Sequence, residues 1–122
     1  MSAFKDGRYP VELDKTRHIL FDLNVMDEIQ ERFGDLEKLG EIMNGPDRFR
    51  NIRAILTLLL NEGAEEGEEP LTEKEVGKKI HAGNIVYVQE CIFKAIAIGS
   101  TGQEEQEDDA TDQGEQKAGQ VA

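Results

Sequence analysis

The chain has 122 residues, 38% of them hydrophobic, and a formal net charge of -12, with a sequence pI near 4.5. That size suits one domain with one modest core, and the acidic balance argues against binding a phosphate backbone, which runs on clustered Lys and Arg. The longest apolar run, Ala54 to Leu60, is broken by Thr57 and falls far short of the roughly 20 residues of a membrane span, and the Met-Ser-Ala-Phe-Lys-Asp start lacks the apolar stretch of a signal peptide, so an intracellular protein with no nucleic-acid or membrane partner is expected.

Arg8 to Leu13 and Thr16 to Phe21 are two short runs rich in Tyr, Val, Thr, Ile and Phe. Asp14-Lys15 between them has the length of a two-residue turn, so a β-hairpin is expected. Alternation places Arg17, Ile19 and Phe21 on one face of the second strand and Thr16, His18 and Leu20 on the other. His18 reads as a cross-strand neighbour on the wetter face, since no nucleophile or carboxylate partner can be assigned to it.

Phe21 to Gly34 is a strand end running into an amphipathic helix. Val25, Met26, Ile29 and Phe33 recur on one face, with Asp27, Glu28, Gln30, Glu31 and Arg32 on the other. Asp22 or Asn24 supplies the N-cap oxygen and Gly34 ends the helix. Asp35 opens a shorter helix with Leu36, Leu39, Ile42 and Met43 as its apolar positions, and Asn44-Gly45-Pro46-Asp47 terminates it and caps the next.

A third helix, from about Arg48 to Asn61, carries Phe49, Ile52, Ile55, Leu56, Leu59 and Leu60, widened by Ala54 and Leu58, and is expected to be the central core helix. Arg48, Arg50 and Arg53 are the nearest approach to a basic patch. They read first as a solvated rim flanking Phe49 and Ile52, and second as pairing groups for acidic positions on a neighbouring copy. Gly63 to Pro70 holds four glutamates that repel one another, which predicts a mobile, solvated connector. Its glutamates lack the alternating ligands and closing bidentate position of an EF-hand, so calcium is not indicated.

Thr72 and Glu75 form the reciprocal pattern of a capping box, with Val76 and Ile80 as the buried edge of a short helix weakened by Gly77. His81 to Asn84 reads as a break and a new cap. In the last helix, running to about Ile98, Ile85, Val88, Cys91, Ile92, Ala95 and Ile96 trace the buried face. Cys91 then acts as a small buried hydrophobe. Tyr87 and Phe93 lie off the centre of that stripe, either covering the flank of the core or marking a contact surface for a partner.

The fold class that follows is mainly α with an α+β start: an N-terminal β-hairpin and about five short helices in one small bundle over residues 1–98, then a disordered acidic tail over 99–122. The tail contains seven acidic residues and one lysine and too little apolar surface to fold alone. It serves as a solubilising appendage or as an electrostatic competitor for basic surfaces. One cysteine and two distant histidines match no metal-ligand spacing, and no phosphate cradle or nucleophile elbow is present, so no metal, cofactor or enzymatic activity is expected.

The hairpin Tyr9-Pro-Val-Glu-Leu13 and Arg17-His-Ile-Leu-Phe-Asp-Leu-Asn24, the helix ending Glu31-Arg-Phe-Gly34, the segment Asn51-Ile-Arg-Ala-Ile-Leu-Thr-Leu-Leu-Leu60, the helix start Pro70-Leu-Thr-Glu-Lys-Glu-Val76 and the final apolar helix together resemble the tail assembly chaperones of tailed bacteriophages and gene-transfer agents. The resemblance covers roughly residues 8 to 98 and consists of apolar positions and caps. It implies a non-enzymatic protein in the cytoplasm of the bacterial host that binds the tape-measure protein, helps recruit tail-tube subunits, and can self-associate. It also implies that a frameshifted form can extend the chain after Ile98. Tyr87 and Phe93, then Arg48, Arg50 and Arg53, are the candidate contact residues. The alternative is an acidic regulatory adaptor or nucleic-acid mimic that binds a basic protein, but half of the net charge lies in the tail rather than in rows on a folded surface.

Overall fold

A computed structural model describes residues 7–101. The acidic segment expected to form the tail lies outside them, apart from its first three residues. Two antiparallel strands, β1 (Tyr9–Glu12) and β2 (Thr16–Ile19), are followed by five helices: α1 (Leu23–Phe33), α2 (Leu39–Ile42), α3 (Arg48–Glu62), α4 (Glu73–Gly77) and α5 (Ile85–Thr101), with a single 3₁₀ turn at Leu36–Lys38 leading into α2. The fold is mainly helical with an N-terminal hairpin, as the residue pattern predicts.

The hairpin register pairs Tyr9 with Ile19 and Glu12 with Thr16, so the connection is Leu13-Asp14-Lys15, three residues and not two. A side-chain clasp explains the extra residue. Asp14 accepts hydrogen bonds from Arg17 Nε at 2.8 Å and Nη2 at 2.9 Å, which holds the turn from outside. The second strand also ends sooner than expected. Leu20 leaves the ladder and donates its N–H to the Leu59 carbonyl at 3.1 Å, an acceptor that also takes the Gly63 N–H at 3.0 Å. The hairpin thereby adds a second hydrogen bond to a carbonyl in the last turn of α3 that already holds the helix cap. Gly63 is buried against it, and a Cβ there would sit 2.6 Å from the His18 carbonyl oxygen.

Asp22 is the N-cap of α1, accepting from Val25 N–H, and Gly34 closes the helix at φ 96°, a conformation that favours glycine. Val25 and Ile29 are buried, with Met26 and Phe33 packed partly against them. Asp35 caps the 3₁₀ turn through the Glu37 N–H. Asp47, by contrast, makes no side-chain cap for α3; its carboxylate is taken by Arg50 at 3.4 Å.

The α3 helix is the centre of the molecule. Ile52, Ala54, Ile55, Leu56, Thr57, Leu59 and Leu60 are buried along it, each large aliphatic contributing about 1.5–3 kcal/mol by leaving water. Thr57, the one buried polar side chain among the described residues, donates its hydroxyl to the Arg53 carbonyl at 2.7 Å, so its burial leaves no unmade bond. Phe49 departs from the expected stripe: it is 64% exposed.

The glutamate-rich connector after α3 is a loop, but Glu68 does not stand free in solvent. It accepts the Glu65 N–H and lies 3.1 Å from Lys15 and 3.8 Å from Arg17, while His18 Nδ1 lies 3.5 Å from Glu65. Basic groups from the hairpin, distant in sequence, replace the expected mutual repulsion with pairing. Asn61 then fixes the following segment by donating to the Leu71 carbonyl at 2.9 Å and accepting the Leu71 N–H at 2.8 Å. The Thr72–Glu75 capping box forms as expected.

Along α5, Val88, Cys91, Ile92, Ala95 and Ile98 are buried. The helix continues to Thr101, three residues past the expected end at Ile98. Gly99 permits this, since a Cβ at that position would overlap the Phe21 carbonyl oxygen; the last turn crosses the chain where the hairpin hands over to α1. No helix among the described residues is long and apolar enough to cross a membrane.

Candidate functional site

The first turns of α3 carry Arg48, Phe49, Ile52 and Arg53 at spacings of three and four residues, so a helix turns all four toward neighbouring surface. Opposite them, α4 contributes its last residue, Gly77, the segment after it contributes Ile80, His81 and Ala82, and Ile85 opens α5. These residues line a groove of about 440 Å³. The turn that forms its rim is internally satisfied: His81 N–H donates to Asn84 Oδ1 at 2.7 Å, Gly83 N–H to His81 Nδ1 at 3.1 Å, and Asn84 Nδ2 to the Lys79 carbonyl at 3.0 Å. The groove floor is apolar and Ile52 is fully buried in it.

Two arginines frame this apolar floor. The Arg48 guanidinium lies 5.0 Å from the Phe49 ring centroid and donates a long 3.4 Å bond to Gln89 Oε1; Gln89 is itself anchored on the Met43 carbonyl at 3.2 Å. The Nε atoms of Arg48 and Arg53 are both buried without an acceptor. Such an orphaned donor carries a desolvation cost of about 1–3 kcal/mol. Gly77 makes room for Arg53, because a Cβ there would stand 3.0 Å from Arg53 Cδ. Among the described residues no Asp or Glu lines the groove, although the chain as a whole is strongly acidic.

The sequence-derived contact residues are therefore divided. Arg48 and Arg53 come together at the groove. Arg50 does not: it points outward and pairs with Asp47. Tyr87 is 38% exposed and Phe93 40% exposed, but they are six residues apart on α5, about 120° around the helix axis, and do not form one patch. The Tyr87 hydroxyl accepts the Glu12 N–H at 2.9 Å, tying α5 to β1, and burial pushes its own ionisation upward against the opposing Glu12 amide. Phe93 shares its side of α5 with Val86, seven residues earlier and 62% exposed.

Two features escaped sequence reasoning. Helical spacing puts Phe49 in the core stripe; its place in a first turn, with arginines on both sides, is the signal that it faces outward. Leu23, 75% exposed at the start of α1, carries no comparable signal. Elsewhere, Cys91 is 3% exposed and burial pushes its thiol up. A small acidic cluster lies where α1 begins beside the end of α3: a hydrogen bond with the Asp22 carboxyl is the main reason Glu62 is held above its usual range, opposed by Asn24. No group of three or more His, Cys, Asp and Glu among the described residues could hold a metal ion. The chain matches no family model, no curated protein and no solved structure.

Proposed function

We propose that this protein is a non-enzymatic tail assembly chaperone of the tailed-phage type, acting in the cytoplasm of a bacterial host on a long helical tape-measure protein and helping to gather tail-tube subunits around it. The observation that carries this reading is the open apolar groove beside Phe49. Phe49 is 64% exposed on a helix whose other large apolar side chains are buried or half-buried, and an apolar groove suits the apolar stripe of a helical client. Weak, repeated engagement along a long client would give a tight assembly from modest single contacts. A small, mainly helical fold is also what the resemblance implies.

An acidic mimic of nucleic acid would need outward rows of carboxylates. Glu68 is paired with Lys15 and Arg17 and Asp14 with Arg17 and Lys79, so these carboxylates are occupied within the fold and lend that function no support. The test is co-expression with the longest helical protein encoded beside this chain, followed by purification and measurement of complex mass. Several copies of the chain per client are expected. A chain that stays monomeric with no client bound would overturn the proposal.

A further inference from the structure

The chaperone proposal leaves open which segments of a helical client are taken. We infer that the groove between α3, α4 and α5 selects amphipathic helical segments whose apolar anchors are flanked by carboxylates. This inference rests on the helical-client reading and narrows it to one chemistry.

The groove combines two demands that few ligands meet together. Phe49, Ile52, Ile80 and Ile85 supply an apolar lining, which calls for aliphatic or aromatic anchors. Arg48 and Arg53 stand at its walls with buried Nε donors that have no acceptor. Among the described residues Arg53 is the only arginine whose guanidinium makes neither a hydrogen bond nor an ion pair. A carboxylate presented beside an apolar anchor would supply the missing acceptor, and guanidinium is the cation best suited to such partly buried pairing. Aromatic and arginine side chains at a concave site are also the residue types that dominate binding energy.

The chain's own acidic segment meets only one of these demands. Between Gly102 and Ala122 the apolar side chains are Ala110, Ala118, Val121 and Ala122, so it would leave Phe49 and the isoleucines uncovered. A partner helix with both features fits the groove better.

The charge of the whole chain makes the inference sharply testable. A net charge of -12 favours cationic ligands through long-range attraction, whereas the groove favours anionic ones, so the two expectations have opposite signs. The probe is a pair of fluorescein-labelled 18-residue helical peptides with the same leucine stripe, flanked by Glu in one and by Lys in the other, titrated with the full-length protein by anisotropy. The Glu peptide should bind at least tenfold tighter, Arg53→Glu should reverse the order, and Phe49→Ala should weaken both peptides about tenfold, with melting curves confirming that each variant folds. Tighter binding of the Lys peptide, or indifference to Arg53→Glu, would overturn the inference. So would Glu-peptide binding that emerges only when the acidic residues after Gln103 are changed to their amides in the full-length chain, which would assign the groove to that segment. Concentration-dependent dimerisation abolished by Arg53→Glu would assign it to a second copy instead. If Arg53→Glu still assembles on the long client as the parent does, the carboxylate selection fails while the chaperone proposal, which rests on the apolar groove, stands.

Discussion

Gly63→Ala is the substitution that best examines how the hairpin is joined to the helices. A Cβ at Gly63 would lie 2.6 Å from the His18 carbonyl oxygen and 2.9 Å from the carbonyl carbons of His18 and Ile19, where relaxed carbon contacts fall at about 3.5–4.0 Å. All three neighbours are backbone of β2 and its exit, so no side chain can swing away. Gly63 itself has φ -91° and ψ 2°, which alanine can adopt, so the cost comes from the collision and not from the torsions. Moving β2 away stretches the Leu20 N–H bond to Leu59 and the Arg8 Nε bond to the Gly63 carbonyl, now 3.1 Å each. Overpacking costs about 1–3 kcal/mol and a weakened hydrogen bond about 0.5–1.5 kcal/mol, while the stiffer unfolded chain returns about 0.4–1 kcal/mol. The expected net loss is about 2–3 kcal/mol, or roughly 10–20 °C in melting temperature for a domain of this size. Urea unfolding followed by circular dichroism measures it. Gly40→Ala is the control: nothing lies within 4 Å of its Cβ, and in α2 it should stabilise by up to about 1 kcal/mol. A Gly63→Ala protein within about 0.5 kcal/mol of the parent, the range of ordinary surface changes, would show that the hairpin does not rest on α3 as described.

The Arg17 clasp makes a pH-dependent contribution. Its hydrogen bonds hold the Asp14 carboxyl well below the usual carboxylate range, with burial opposing and Lys79 assisting. Because the folded pKa is depressed, the contribution is present above the unfolded value of about 4 and is lost as pH falls below it. Asp14→Asn should therefore cost under about 1 kcal/mol at pH 7, since the Asp14 carboxylate is itself exposed to solvent, and the gap from the parent should close progressively in unfolding titrations below pH ~4; a gap constant from pH 7 to pH 2 would refute the assignment. Thr72→Ala removes the hydroxyl that accepts the Glu75 N–H at 3.1 Å and should cost about 1 kcal/mol. Amide exchange of the α4 residues should accelerate in that variant, and unchanged exchange would mean that the α4 capping box is redundant.

What could be read from the sequence followed from short-range rules. Asp22, Gly34, Asp35, Thr72 with Glu75, and the apolar spacing of α1, α3 and α5 each act within about one helical turn, so their residues announce them. What could not be read depended on partners distant in the chain. Glu68 is held by Lys15 and Arg17, and the Leu59 carbonyl is shared with Leu20. The groove exists only because Arg48 and Arg53 meet Ile80 and Ile85; local periodicity identified the arginines and isoleucines separately and had no means to bring them together.

The end of α5 shows the same limit and can be tested directly. Glycine followed by polar residues reads as a helix stop, which is why Ile98 marks the expected boundary. Gly99 instead serves close packing, its missing Cβ admitting the Phe21 carbonyl, and the helix runs on to Thr101. Ending the chain after Ile98 would remove that contact and place a new carboxylate on a residue only 4% exposed. Ending it after Thr101 would do neither. Burying a charged terminus beside an apolar side chain and losing a helical turn together should cost about 1–3 kcal/mol, so the shorter protein should melt roughly 5–15 °C below the longer one. Equal melting temperatures for the two truncations would show that residues 99 to 101 add nothing to the fold and would restore the boundary at Ile98.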